Sequence, residues 1–270
     1  MPERGRGGLR RHLRLIAASL RLSVLGALEY RVGFWSEAVI GVLWSLAGMV
    51  PLLVALEHRP DIAGWTGGEV LLLTGFYLML SGCYAALLSP SLVATMDHVR
   101  RGTLDYLLLR PVDSLVSCLC SAFSPWSLLE VLTGAGLVVG ATIHLGLRPG
   151  PAELGAVLVA LSCGFTALYA LGVLILSLSF RAMQLQNLGF LLEAILELAR
   201  WPISVFRGPL RALFTFVIPF AVMTSFPAQA LLGRLGPAPL LGALASAAAL
   251  AALARLAWRR GLERYTSASS

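Results

Sequence analysis

Few residue types in this 270-residue chain could carry covalent or metal chemistry, and their spacing argues against both. Cys83, Cys118, Cys120 and Cys163 sit in or beside apolar stretches without the C-x-x-C spacing of a metal or redox pair, so they read as small hydrophobes. His12, His58, His98 and His144 are scattered one to a segment, which supports no metal site. All 21 basic residues are arginine. A phosphate-binding loop of the GxxxxGK(S/T) kind, a Schiff base and a Ser-Lys dyad all need lysine, so any nucleotide hydrolysis serving this protein belongs to another polypeptide. Leu80-Ser81-Gly82 is the nearest thing to a membrane serine-hydrolase motif. Met79 stands where such a motif needs glycine, and only His144 lies near a span to act as base.

The remaining reactive groups are carboxylates inside apolar stretches. Glu193 and Glu197 are four residues apart, with Arg200 three further on, so all three share one helical face. Glu197 and Arg200 read as an intrahelical pair near the outer interface. Glu193 is deeper and lacks a local partner, and Glu130 is isolated in another apolar run. Ionisable groups in a membrane span are costly and usually face a bundle interior or a water-filled path.

The elements that must position these groups are membrane helices. Hydrophobic residues make up 57% of the chain and charged residues only 13%, against roughly 25% charged in a soluble domain. Mean hydropathy is +0.80. The expected fold class is therefore an all-α polytopic membrane protein. Residues 1–8 read as a disordered Gly- and Arg-rich tail. Over 9–31, leucines recur at helical spacing while Arg10, Arg14 and Arg21 share another face, the pattern of an amphipathic helix lying in the headgroup region. A six-span domain is expected over 36–258, with crossings near 36–56, 70–88, 115–145, 154–178, 186–206 and 238–257, and a tail over 259–270. Pro125 marks a kink or a late start in the third. Residues 207–233, interrupted by Gly208-Pro209, Pro219 and Pro227, read as a re-entrant hairpin and outer gate, or as a pair of interfacial helices. Arginine placement favours six crossings with both termini cytoplasmic: 15 fall inside and 6 outside, and cytoplasmic loops carry the basic excess.

Between the second and third spans lies a distinctive segment, 96–112, containing Arg100-Arg101-Gly102-Thr103-Leu104-Asp105-Tyr106-Leu107-Leu108-Leu109-Arg110-Pro111. Thr103 is placed to cap a short helix after Gly102, Asp105 sits in its first turn where the helix dipole favours an acid, and Arg110-Pro111 ends it. Its apolar residues, Leu104 and Leu107 above all, read as an exposed knob suited to a groove on a soluble partner.

This run, R-R-G-T-L-D-x-L-L-L-R-P, resembles the signature of permease subunits from ABC transporters of the second exporter type. The likeness extends over nearly the whole chain, through Phe34-Trp35-Ser36-Glu37 entering the first span and the Pro-rich hairpin before the last. Asp105 stands where glutamate is common. The resemblance implies a non-catalytic subunit of the bacterial cytoplasmic membrane that pairs with a second permease, as homo- or heterodimer, and with two ATP-binding cassette subunits. ATP and Mg would be bound by those subunits, with no cofactor on this chain and no nucleic-acid partner. Segment 102–109 would transmit the ATPase motion. Glu130 could then pair with Arg181 or with the second permease, and Glu130, Glu193 and Glu197 are candidates for the translocation path or the dimer seam. An ion-coupled carrier is the alternative, but it would want broken helices in both halves, and here only the C-terminal half is broken.

Overall fold

The computed structural model describes residues 21–26, 31–58, 61–109, 113–119, 121–179, 188–217 and 219–263. The protein is an all-α polytopic membrane protein, with five helical stretches among these residues long and apolar enough to cross a bilayer: Val32–His58, Gly67–Arg100, Pro125–His144, Pro151–Leu178 and Pro237–Leu262. The amphipathic helix expected over 9–31 falls mostly outside the described residues, as do the tails; only 21–26 of it is seen, and it is helical.

The first helix, α1 (Arg31–His58), ends at a two-residue ladder, β1 (Asp61–Ile62) against β2 (Trp65–Thr66). Ala63 and Gly64, both at positive φ, make the tight turn, and Asp61 accepts the Gly64 N–H at 2.8 Å. This small hairpin is the one departure from all-α that the described residues show. It leads into α2 (Gly67–Cys83), which continues through a π-helical turn at Tyr84–Leu88 into α3 (Ser89–Arg100). The span expected at 70–88 is thus the N-terminal part of a 34-residue helix. At 1.5 Å per residue it is about 51 Å long, well beyond a hydrocarbon core of about 30 Å. Pro90 explains the π turn, because its ring crowds the carbonyl four residues back and it has no N–H to offer that group. The Ala86 carbonyl receives the Ser124 N–H instead, at 2.9 Å.

After Arg100 come two short helices, α4 (Asp105–Leu108) and α5 (Ser114–Leu119), and a break before the 3₁₀ turn Pro125–Ser127. Pro125 therefore marks a late start: the third span is α6 (Leu128–His144) with that turn as its lead-in. Glycines let α2 and α6 touch backbone to backbone. A Cβ on Gly134 would lie 2.6 Å from the Gly75 carbonyl oxygen, and one on Gly75 2.9 Å from that of Gly134.

Next comes α7 (Pro151–Ser179), which packs along the last helix, α11 (Pro237–Leu262). Between them the chain is broken into short pieces. The crossing expected at 186–206 is, over its described part, an eleven-residue helix, α8 (Leu188–Leu198), then a turn and a 3₁₀ turn at Ile203–Val205. Pro202 prevents a longer helix by disfavouring the helical conformation in Trp201 before it. In 207–233, α9 (Gly208–Ala212) and a π turn Leu213–Val217 form one limb. A second π turn, Ala221–Ser225, and α10 (Phe226–Leu231) form the other. Pro219 and Pro227 are both buried in the second limb. Its side chains satisfy backbone groups of the preceding turn: Thr224 donates to the Ala199 carbonyl at 2.7 Å, and Ser225 accepts the Ile203 N–H at 3.2 Å. Gly164 of α7 admits the Met223 backbone, where a Cβ would lie 3.0 Å from Met223 Cα. Both ends of the segment lie beside the connection between α1 and α2, Arg207 sharing a small cleft with Asp61 and Ala63 and Arg234 pairing with Glu69 at 2.5 Å.

Candidate functional site

The segment singled out by the sequence is a hairpin projecting from the C-terminal end of α3. Gly102 at φ +67 closes that helix: the Thr103 N–H bonds the His98 carbonyl at 2.9 Å and the Gly102 N–H bonds that of Val99 at 3.3 Å. These are the paired bonds of a Schellman turn, for which glycine is the favoured residue. Thr103 does not cap α4, whose N-cap position is Leu104; its hydroxyl is hydrogen-bonded to His98 Nδ1 at 2.9 Å and locks the turn. Asp105 occupies the first turn as expected. Arg100 and Arg101 are exposed, the latter 3.8 Å from Asp97. Arg110 and Pro111 lie outside the described residues.

The apolar face of α4 is divided differently from the sequence reading. Leu104 and Leu107 are not an exposed knob; they are 0% and 3% exposed, packed in the core with Leu92, Met96, Val99 and Leu115. Leu108 is half-buried. The outward residues are Tyr106, 74% exposed, and Leu109, 81% exposed. One turn of helix has room for two inward and two outward residues, and the leucines nearest the hydrophobic hairpin take the inward places.

The returning limb is stitched to α3. Thr95 donates to the Cys118 carbonyl at 3.0 Å, and Ser91 donates to the Ala122 carbonyl at 2.8 Å while accepting the Ala122 N–H at 3.2 Å. At its base, Asp113 accepts the Leu115 N–H at 3.0 Å and thereby starts α5. The same carboxylate takes both guanidinium nitrogens of Arg255 on α11, at 2.8 Å to Oδ1 and in close contact with Oδ2. The Arg255 hydrogen bonds hold the Asp113 carboxyl below the usual carboxylate range. Three residues on, the Trp258 indole N–H donates to Ser114 Oγ at 3.0 Å. Sequence analysis did not single out Asp113, Arg255 or Trp258. Asp113-Ser114 before an apolar run is a helix-start signal, but partners more than 140 residues away leave no mark at that distance in the sequence.

A second polar feature is a cleft of about 750 Å³ between α1, α2, α6 and α8, lined by Glu37, Glu130, Glu193, Glu197 and Arg200 among others. Arg200 holds three helices together. It pairs with Glu197 at 2.9 Å, donates to the Gly48 carbonyl of α1 at 2.7 Å and to the Tyr77 hydroxyl of α2 at 3.2 Å, and lies over the Tyr77 ring at 4.9 Å. The Tyr77 hydroxyl in turn donates to Glu197 at 3.0 Å. Gly48 and Tyr77 are each ten residues from the end of their helix that meets the β1–β2 ladder, about 15 Å at 1.5 Å per residue. The expected Glu197–Arg200 pair thus exists, but within a four-residue cluster joining α8 to α1 and α2. Glu130 lines the cleft together with Ser81 and Ser45, and Arg181, a partner considered for it, lies outside the described residues. Glu193 is exposed at the cleft. The structure therefore gathers Glu130, Glu193 and Glu197 around one cleft, while Pro219 and Pro227 belong to the separate buried limb.

No curated protein and no solved structure matches the chain. A family model described as ABC-2 family transporter protein matches residues 42–269, which takes in the projecting hairpin and the described spanning helices apart from the first part of α1. A membrane bundle with one hydrophobic turn held out on a stitched hairpin, matched over nearly its whole length by that family, belongs to the ABC-2 family of transporter proteins.

Proposed function

We propose that the chain is the permease subunit of an ATP-driven exporter, docking its ATPase through Tyr106 and Leu109 and moving a substrate along the cleft between α1, α2, α6 and α8. The observation that carries this reading is the projecting hairpin. Two large apolar residues are exposed on one turn beyond the bilayer, flanked by Arg100 and Arg101, on a limb fixed to α3 by Ser91 and Thr95. An exposed apolar turn on a rigid support suits a groove on a soluble partner. The partners in this reading are two ATP-binding cassette subunits, which bind Mg and ATP, and a second permease across the membrane seam. Both termini are cytoplasmic, the membrane is the bacterial cytoplasmic membrane, and 207–233 re-enters from the outer side as a gate. Glu130 and Glu193 face the path or the seam.

The test is co-purification of the cassette ATPase with variants of the hairpin. Tyr106→Glu with Leu109→Glu is expected to leave the permease in the membrane and detach the ATPase. Unchanged co-purification moves the docking surface elsewhere on the cytoplasmic face and overturns this reading of the hairpin.

A further inference from the structure

We infer that the Asp113–Arg255 pair is the joint through which displacement of the hairpin reaches the last helix, and through that helix the outer hairpin 207–233. The inference rests on the permease reading above and adds positioning residues to it. Three features of the joint point the same way. Asp113 starts α5 and is bound to Arg255 through both carboxylate oxygens, so a rigid, two-point contact connects the hairpin to α11. The Trp258 indole, 1% exposed, adds a third bond to Ser114 one turn further on, which fixes the angle as well as the position of the contact. Finally, α5 cannot move alone, because its end is hydrogen-bonded to Thr95 of α3. A push on Tyr106 or Leu109 must move hairpin and α11 together or break these bonds.

Beyond the joint, α11 runs without interruption for 26 residues from Pro237 to Leu262, about 39 Å at 1.5 Å per residue. Its outer end follows directly on Arg234, which is paired with Glu69 at the top of α2. One uninterrupted helix thus connects the cytoplasmic joint to the end of the outer hairpin. The groups facing the joint include Asp113, Ser114, Arg255 and Trp258, with Tyr169 of α7 close enough to act on Arg255. The carboxylate and guanidinium side chains are 29% and 43% exposed, so the pair adds little to stability through screened attraction, and its loss should not unfold the bundle.

The experiment uses the full chain in membranes with its cassette ATPase bound, carrying spin labels at Ala63 and Ala238 on the outer side. The expected result is a change in label separation between the nucleotide-free and ATP-vanadate states that is lost in Asp113→Asn and in Arg255→Gln, although ATPase binding and hydrolysis persist. Recovery of the change in the charge-swapped double variant, Asp113→Arg with Arg255→Asp, distinguishes a joint from a general requirement for folding. If the single variants do not assemble, the swapped protein decides: assembly without the change overturns the inference. A change that persists in both single variants overturns it as well. So does an original pair of labels that stays still while ATP is hydrolysed, and that outcome leaves the permease reading standing. Absence of any bound ATPase in the original protein removes both.

Discussion

At the residue scale, exposure divides the hydrophobic turn into two core leucines, Leu104 and Leu107, and two outward residues, Tyr106 and Leu109. Leu104→Ala or Leu107→Ala opens a cavity in the core and is expected to cost about 2–5 kcal/mol, lowering the thermal midpoint of the detergent-solubilised protein. Tyr106→Ala and Leu109→Ala, on exposed positions, should leave that midpoint within about 0.5 kcal/mol of the original and weaken only ATPase binding. Thermal unfolding and co-purification on the same four variants separate the two roles, and a large loss of stability from Leu109→Ala would contradict the assignment. Asp113 supplies a pH dependence. Its carboxyl titrates lower in the folded protein than in the unfolded chain, so the pair contributes its full stability above the ordinary aspartate value of about 3.9. That contribution fades as pH falls through the lowered folded value. Exposure keeps it small, and a comparison of unfolding midpoints for the original and Asp113→Asn should show a gap near neutrality that closes on acidification.

At the element scale, the contact of α2 with α6 depends on the absence of side chains. Gly134→Val would push a branched side chain into the Gly75 carbonyl and the Met79 N–H, both backbone groups with no freedom to move aside. A cost of about 1–3 kcal/mol is expected, measurable as a drop in thermal midpoint, whereas the same change at Gly136, which faces open space, should be nearly neutral. Long apolar elements were the most legible part of the sequence, because a bilayer demands about 20 apolar residues in a row and leaves that run visible. The expected starts at 154 and 238 fall within three residues of the helices observed. The R-R-G-T-L-D run also marked the hairpin, since Gly102 is required where the helix closes. What the sequence did not carry was the direction of each side chain on a one-turn helix, which sent Leu104 and Leu107 outward in the reading and inward in the structure. Nor did it carry the short α8 or the joint between Asp113 and Arg255, because tertiary neighbours decide both.

At the scale of the whole molecule, the distribution of arginine favours the proposed topology, with both ends in the cytoplasm. Cysteines placed at Arg4 and Ser270 should resist an impermeant thiol reagent in intact cells, while one at Asp61, in the exposed turn after α1, should react. Labelling of Ser270 from outside would call for another crossing. The helix from Gly67 to Arg100 also has a bearing on how the chain could be cut. With no lysine anywhere, trypsin cleaves only at arginine, and Arg100 and Arg101 stand exposed at the hairpin's first turn. A nick there, made from the cytoplasmic face, would fall outside every stitch that fastens the two limbs, since Ala86, Ser91 and Thr95 lie above it on one fragment and their partners Ser124, Ala122 and Cys118 on the other. The halves would stay assembled in the membrane as a two-piece protein, and a bound ATPase would shield the site from the protease.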